Sequence, residues 1–259
     1  MISFKQGDTK QLEYIDFFKG IGIAAVLLVH YGLFFVAPNG LLKTISEYGS
    51  HGVQVFFIIS TFLIWRSISR KYHKGSFSYK DFYYSRFQRV VPLYYLTLVV
   101  YFALYIYRGG FIPWEAFLAH VLLINGFIPR FINNILGVEW YIADLIFLFL
   151  FSPVLFKLLS TYKKTIVGIV VSFLLAFFVD QLYGFLVSSG CVNDNYYNNA
   201  FFKTFCFVVQ LPCMLLGVLL YFITDMPKYT KQKWSIILVL FALCLYLFSY
   251  IIKTFLMLD

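Results

Sequence analysis

The sequence predicts an all-α fold, a polytopic bundle of transmembrane helices with about seven crossings and one further segment that enters the membrane without spanning it. Three observations lead there. The 259 residues are 61% hydrophobic and only 13% charged, far more apolar than a soluble domain of this size. Several runs reach the ~20 apolar residues that a spanning helix needs, with almost no charge inside them. None shows the alternation of a membrane barrel strand, which leaves the helix as the backbone form that satisfies its own hydrogen bonds in lipid. A single membrane domain over residues 1–259 is expected.

Apolar segments are read at about residues 14–36, 48–66, 90–107, 111–128, 137–156, 165–187, 204–223 and 234–252. The first follows MISFKQGDTKQLEYIDFFKG, where acids and bases alternate, and no small-residue cleavage site closes it. It is expected to remain as a span rather than leave as a signal peptide. Between the second and third segments lies the most basic stretch, with Arg66, Arg70, Lys71, Lys74, Lys80, Arg86 and Arg89 against Asp81. Basic residues collect on cytoplasmic loops, so this stretch is expected on the cytoplasmic side, together with the N-terminus. Lys157, Lys163 and Lys164 form a second basic group, and Lys228, Lys231 and Lys233 a third. The first two groups share a side only if an even number of crossings separates them, yet three segments lie between. Segment 111–128 is the one expected not to cross, since Pro113, Glu115, His120 and Asn125 interrupt it. The same pattern accounts for the net charge of +9 without a nucleic-acid partner.

Cys191, Cys206, Cys213 and Cys244 show no CxxC spacing and carry no metal signal. A Cys191–Cys206 disulfide would need an oxidising compartment, and packed free thiols are the preferred reading. The loop ending SSGCVNDNYYNNA suits either a surface for neutral polar ligands or an ordinary solvated turn region.

The first helix carries the chemistry. Asp16, Lys19 and His30 stand among almost wholly apolar residues, and ionisable groups inside a span usually mark a site and face the protein interior. At ~100° per residue, Lys19 and His30 fall within about 20° on one face, roughly 16 Å apart along the axis. A neutral imidazole suits proton removal from a hydroxyl near neutral pH, which makes His30 the candidate base. The alternative is a packed histidine bonded to a neighbouring helix. His51, His73 and His120 are weaker candidates: one opens the second helix, one sits in the basic stretch and one in the interrupted segment. Arg86 and Arg89, at i and i+3, place two guanidinium forks on one helix face, a geometry matched to phosphate or to simple boundary anchoring. Pro92, within one turn, is expected to kink that helix.

Taken together, four motifs in order resemble the membrane-bound acyltransferase 3 family, whose members O-acylate sugars and related acceptors. They are Lys19-x10-His30, GVQVFFIISTFLI at 52–64, Arg86-x-x-Arg89-x-x-Pro92, and WYIADLIFLFLFSPVLF from Trp140, spanning roughly residues 12–160. The resemblance implies that His30 is catalytic, that Lys19 assists it, and that Arg86, Arg89 and Lys19 help hold the donor. It further implies acetyl-coenzyme A as donor and a glycan or lipid-linked sugar as acceptor, with no metal. Asp16 or Asp144 would orient His30 or balance its charge. Lys19, Thr61 and Asp144 stand where the family more often has arginine, glycine and glutamate, and the crossings are fewer than usual, as in a shortened member. A bacterial inner membrane is the expected location. The alternative functions are a transporter or flippase for a lipid-linked sugar, and a non-catalytic truncated homologue.

Overall fold

The structure, a computed structural model, describes residues 13–35, 40, 43, 49–135, 137, 139–192 and 196–225. Regular structure among them is helical throughout. In chain order the helices are α1 (Glu13–Phe35), α2 (Gly52–His73), α3 (Tyr79–Tyr107), α4 (Trp114–Val121), α5 (Glu139–Leu158), α6 (Tyr162–Ser188), α7 (Tyr196–Phe205) and α8 (Phe207–Asp225). Single 3-10 turns occupy Gly49–His51 and Asn125–Phe127. Six stretches are long and apolar enough to cross a membrane: Ile15–Gly32, Gly52–His73, Tyr79–Tyr107, Glu139–Leu158, Tyr162–Ser188 and Ala200–Thr224. They coincide with six of the seven expected crossings. The seventh, 234–252, lies outside the described residues, as do Lys228, Lys231 and Lys233, Cys244 and the loop tip 193–195.

The interrupted fourth segment does not cross. α4 has eight residues, about 12 Å of helix, against a hydrocarbon core of ~30 Å. Its termination follows from backbone chemistry. Leu123 adopts the left-handed conformation at φ 59°, and Ile124 N–H donates back to Ala119 O at 2.9 Å, a closure that ordinarily uses glycine. Carbonyls freed at such an end need partners in an apolar setting. Tyr94 and Tyr95 of α3 supply them, donating to His120 O at 3.3 Å and Val121 O at 2.6 Å. The inner face of α4, Ala116 and Ala119, packs on Phe131, with Ile112 and Ile128 alongside.

Two helices begin where the sequence places a capping hydroxyl. Ser78 Oγ accepts from Asp81 N–H at 3.3 Å at the start of α3, and Thr161 Oγ1 from Lys164 N–H at 3.3 Å at the start of α6, the usual N-cap arrangement. α2 runs to His73, beyond the expected end at residue 66, so Arg66, Arg70 and Lys71 ride on its last turns instead of forming a loop. Straight-chain cations favour helix and can extend their charged ends toward water, so apolarity alone marked the end too early. α3 likewise starts at Tyr79 and continues unbroken through Pro92.

The chain divides into two compact units, Met1–Ile59 and Ser60–Asp259. In the first, α1 meets the turn Gly49–His51 and the start of α2 through small residues. A Cβ on Gly52 would stand 2.6 Å from Gly22 O and 3.0 Å from Ala25 Cβ, and one on Gly22 would stand 3.1 Å from Phe56 Cζ. Small residues permit such close backbone approach where lipid offers no hydrophobic drive for association.

In the second unit, Tyr72 near the end of α2 stacks on Phe77 at 4.4 Å and on Phe156 of α5 at 5.5 Å. Tyr83 of α3 donates to Leu150 O of α5 at 3.0 Å, and Tyr221 of α8 to Ser69 Oγ of α2 at 2.8 Å. Lys157 Nζ stands 5.6 Å over the Tyr79 ring. The basic stretch around 70–80 and the group Lys157, Lys163 and Lys164 therefore lie at one end of this unit, as the charge pattern requires. Outward faces remain apolar: Leu93, Leu96, Val99 and Leu104 of α3 are exposed, as lipid contact demands. At the bend between α7 and α8, Gln210 Nε2 donates to Thr204 O at 2.7 Å.

Candidate functional site

The sequence-derived residues fall in both units. Asp16, Lys19 and His30 belong to the first. Lys19 Nζ pairs with Asp16 Oδ1 at 3.1 Å, an i,i+3 bridge with both side chains nearly half exposed, so it adds little to stability. Within this unit His30 is exposed on α1. Helical geometry gives the reason. The close seam of α1 runs through Gly22, and at ~100° per residue Lys19 and His30 stand about 60–80° around from it, on one shared line. The pair thus shares a line beside the seam within this unit. His51 lies in the same unit at the end of its 3-10 turn, where burial holds its imidazole below the ordinary range.

Arg86, Arg89 and Asp144 belong to the second unit. Arg86 is partly buried, with its guanidinium 5.7 Å from the Phe82 ring centroid, and Arg89 is exposed. No carboxylate among the described residues is paired with either. Two adjacent cations, one partly desolvated and neither neutralised there, form a ready anion site.

Asp144 is fully buried in α5, and neither carboxylate oxygen has a hydrogen-bond partner among the described residues. Neither amide atom of fully buried Asn125 has one either. The backbone next to Asn125 packs on Asp144: a Cβ on Gly126 would meet Ala143 Cβ at 3.0 Å and Asp144 Oδ1 at 3.4 Å. Each unpaired buried group costs about 1–3 kcal/mol, and an ionised carboxylate more. Asn125 entered the sequence reading only as an interruption of an apolar run.

A second buried pair went unread. His120 and Glu139 side chains are wholly enclosed, with Nε2 3.6 Å from Oε1, and Ile135 N–H donates to the same Oε1 at 2.7 Å. Glu139 opens α5 directly before Trp140. An acid at the mouth of an apolar helix, with the only histidine of an interrupted segment nearby, was the available signal. Among the described cysteines, Cys191, Cys206 and Cys213 form no disulfide with one another.

The family model described as an acyltransferase domain matches residues 12–257. The chain belongs to that acyltransferase family. Its match covers nearly the whole chain and extends well past the 12–160 stretch on which the motif resemblance rests. No curated protein and no solved structure matches. Family and helices agree on an acyltransferase built into a membrane.

Proposed function

We propose that this acyltransferase moves an acetyl or similar acyl group from acyl-coenzyme A to a hydroxyl of a sugar or glycan, lipid-linked or free, in a bacterial inner membrane with its N-terminus cytoplasmic. The observation that carries the reading is the Arg86–Arg89 pair. It is partly desolvated, lacks an acid partner among the described residues, and stands on the first turns of α3 beside the basic end of the bundle. Guanidinium forks in that state suit the donor's phosphates.

His30 takes the proton of the acceptor hydroxyl as its oxygen attacks the thioester carbon. The carbon–sulfur bond then breaks, and the imidazolium returns that proton to the departing thiolate, giving ester and free thiol. Lys19, on the same line of α1, adds a cation toward the donor, and the Asp16 carboxylate paired with it sets its position. Asp144 supplies a buried carboxyl in the second unit.

Full-length protein with labelled acetyl-coenzyme A and a panel of glycans tests the reading. Transfer should fall by ~10²–10⁴-fold in His30→Ala, the usual weight of a general base. Arg86→Lys and Arg89→Lys should raise the KM for the donor more than they lower kcat. Undiminished transfer in His30→Ala would remove the mechanism, and donor KM values untouched by both arginine changes would remove the phosphate site.

A further inference from the structure

On the reading that acyl-coenzyme A is the donor, we propose that the basic end of the second unit holds the donor's nucleotide. The adenine lies against Tyr79, the lone phosphate of the ribose meets Lys157, and the diphosphate meets Arg86 and Arg89. Coenzyme A carries a base flanked by phosphate on both sides, and the second unit presents the matching order of cation, aromatic rings and cation. Lys157 Nζ stands 5.6 Å from the Tyr79 ring centre. Tyr79 lies 5.1 Å from Phe77, Phe77 lies 6.0 Å from Phe82, and the Arg86 guanidinium lies 5.7 Å from Phe82.

Local sequence fixes this row. Gly75 ends α2 at φ 65°. Its N–H donates to Tyr72 O at 3.0 Å and Ser76 N–H to Lys71 O at 2.9 Å, the closure that glycine favours. Ser78 then caps α3, and the short turn lays Phe77 on Tyr72 at 4.4 Å. Tyr79 and Arg86 both stand on α3. Their spacing, at ~100° and ~1.5 Å per residue, puts them within about 20° of one face and roughly 10 Å apart in depth, a separation that one nucleotide can bridge.

Tyr79 is the ring a base can reach. Phe82 is buried, Phe77 is partly so, and Tyr72 already stacks on Phe77 and Phe156, whereas Tyr79 is 46% exposed. Lys157 hydrogen-bonds the Tyr79 hydroxyl, which holds the ammonium beside the ring and leaves it two further hydrogens. No carboxylate among the described residues pairs with Lys157, Arg86 or Arg89. Stacking of a base on an exposed tyrosine and charge-assisted bonds to phosphate are therefore both open. Anchoring at a membrane boundary uses the same residue types but does not require this order.

The test compares equilibrium binding of three ligands to the full-length protein in phosphatidylcholine discs: coenzyme A, dephospho-coenzyme A, which lacks the ribose phosphate, and pantetheine, which lacks the nucleotide. Wild type should bind them in that order of falling affinity. Lys157→Met keeps the stem and removes the charge. It should weaken coenzyme A by roughly tenfold, the weight of one charge-assisted bond, and leave dephospho-coenzyme A unchanged, closing the gap between the two. Tyr79→Leu should weaken both nucleotides and spare pantetheine. A wild type without that gap, or a gap that persists in Lys157→Met, overturns the phosphate placement, and nucleotide affinities unchanged in Tyr79→Leu overturn the stacking. Acetyl transfer by wild type alongside either result leaves the donor reading standing. A wild type that neither binds coenzyme A nor transfers from acetyl-coenzyme A overturns both.

Discussion

Placing a methyl group at Gly52 should separate α1 from the start of α2. The added Cβ would stand 2.6 Å from Gly22 O and 3.0 Å from both Ala25 Cβ and Val26 Cγ2. Ordinary contact begins near 3.4 Å, so the closest approach falls short by 3.4 − 2.6, about 0.8 Å. The obstructing atom is a helical carbonyl oxygen that no rotamer can move, so α1 itself must shift. Overpacking of this kind costs ~1–3 kcal/mol. Gly20, on the same helix, supplies the control: a Cβ there meets nothing within 4 Å, and glycine inside a helix is worse than alanine by roughly 0.5–1 kcal/mol. Thermal unfolding in one detergent at one scan rate should therefore move in opposite directions, at about 2–4 °C per kcal/mol for a chain of this size. Gly52→Ala should melt lower than wild type and Gly20→Ala slightly higher. A Gly52→Ala protein as stable as wild type, with Gly20→Ala behaving as stated, would refute the close seam.

Tyr95→Phe removes the 2.6 Å bond to Val121 O and strands a carbonyl at the end of α4, at a cost of about 1–3 kcal/mol in thermal unfolding. Lys203→Met leaves Asp180, whose side chain is only 8% exposed, without its cation at 3.0 Å and with the Gln181 amide as its remaining donor. It should destabilise more than the double change Asp180→Asn with Lys203→Met, so a double-mutant cycle should show clear coupling. His51 contributes to the pH profile with a definite sign. Burial lowers its folded value below the unfolded one, so its share of stability is intact above the ordinary imidazole range and is lost as pH falls through it. Between about pH 7 and 5, His51→Gln should show a flatter decline of Tm than wild type.

The crossings were legible because lipid leaves apolar length as nearly the sole criterion, and the failure of 111–128 to cross followed from counting the sides on which lysines and arginines fall. Helix ends were less legible. Arg66 through Lys71 continue α2, because a side chain that reaches toward water does not oblige its backbone to leave the helix. On α1 the spacing of Lys19 and His30 fixed their shared face, but not whether that face is covered. Covering depends on where the glycines let α1 approach, and Gly22 and Gly52 turn it by less than a quarter of a circle from His30. His120 and Glu139 stayed hidden for a different reason. Their 19-residue separation carries no periodic signal, and only the return of the non-crossing segment brings them together.

Asp144 allows a distinction between groups that serve the fold and groups that serve chemistry. A fold needing only packing at that position would be better served by leucine, since a buried carboxyl without partners costs stability that an apolar side chain does not. The same holds for Asn125, whose amide could make four hydrogen bonds and makes none with the described residues. By contrast, the tyrosines on the α4 carbonyls and the Gln210 bond at the α7–α8 bend are polar groups fully accounted for by backbone satisfaction. Trp65 Nε1 and Asn133 Oδ1 are also buried without a hydrogen-bond partner among the described residues, but neither belongs to an ionisable group. An unpaired buried carboxyl is the costliest of these groups to keep, and that cost is the argument for a role of Asp144 other than packing.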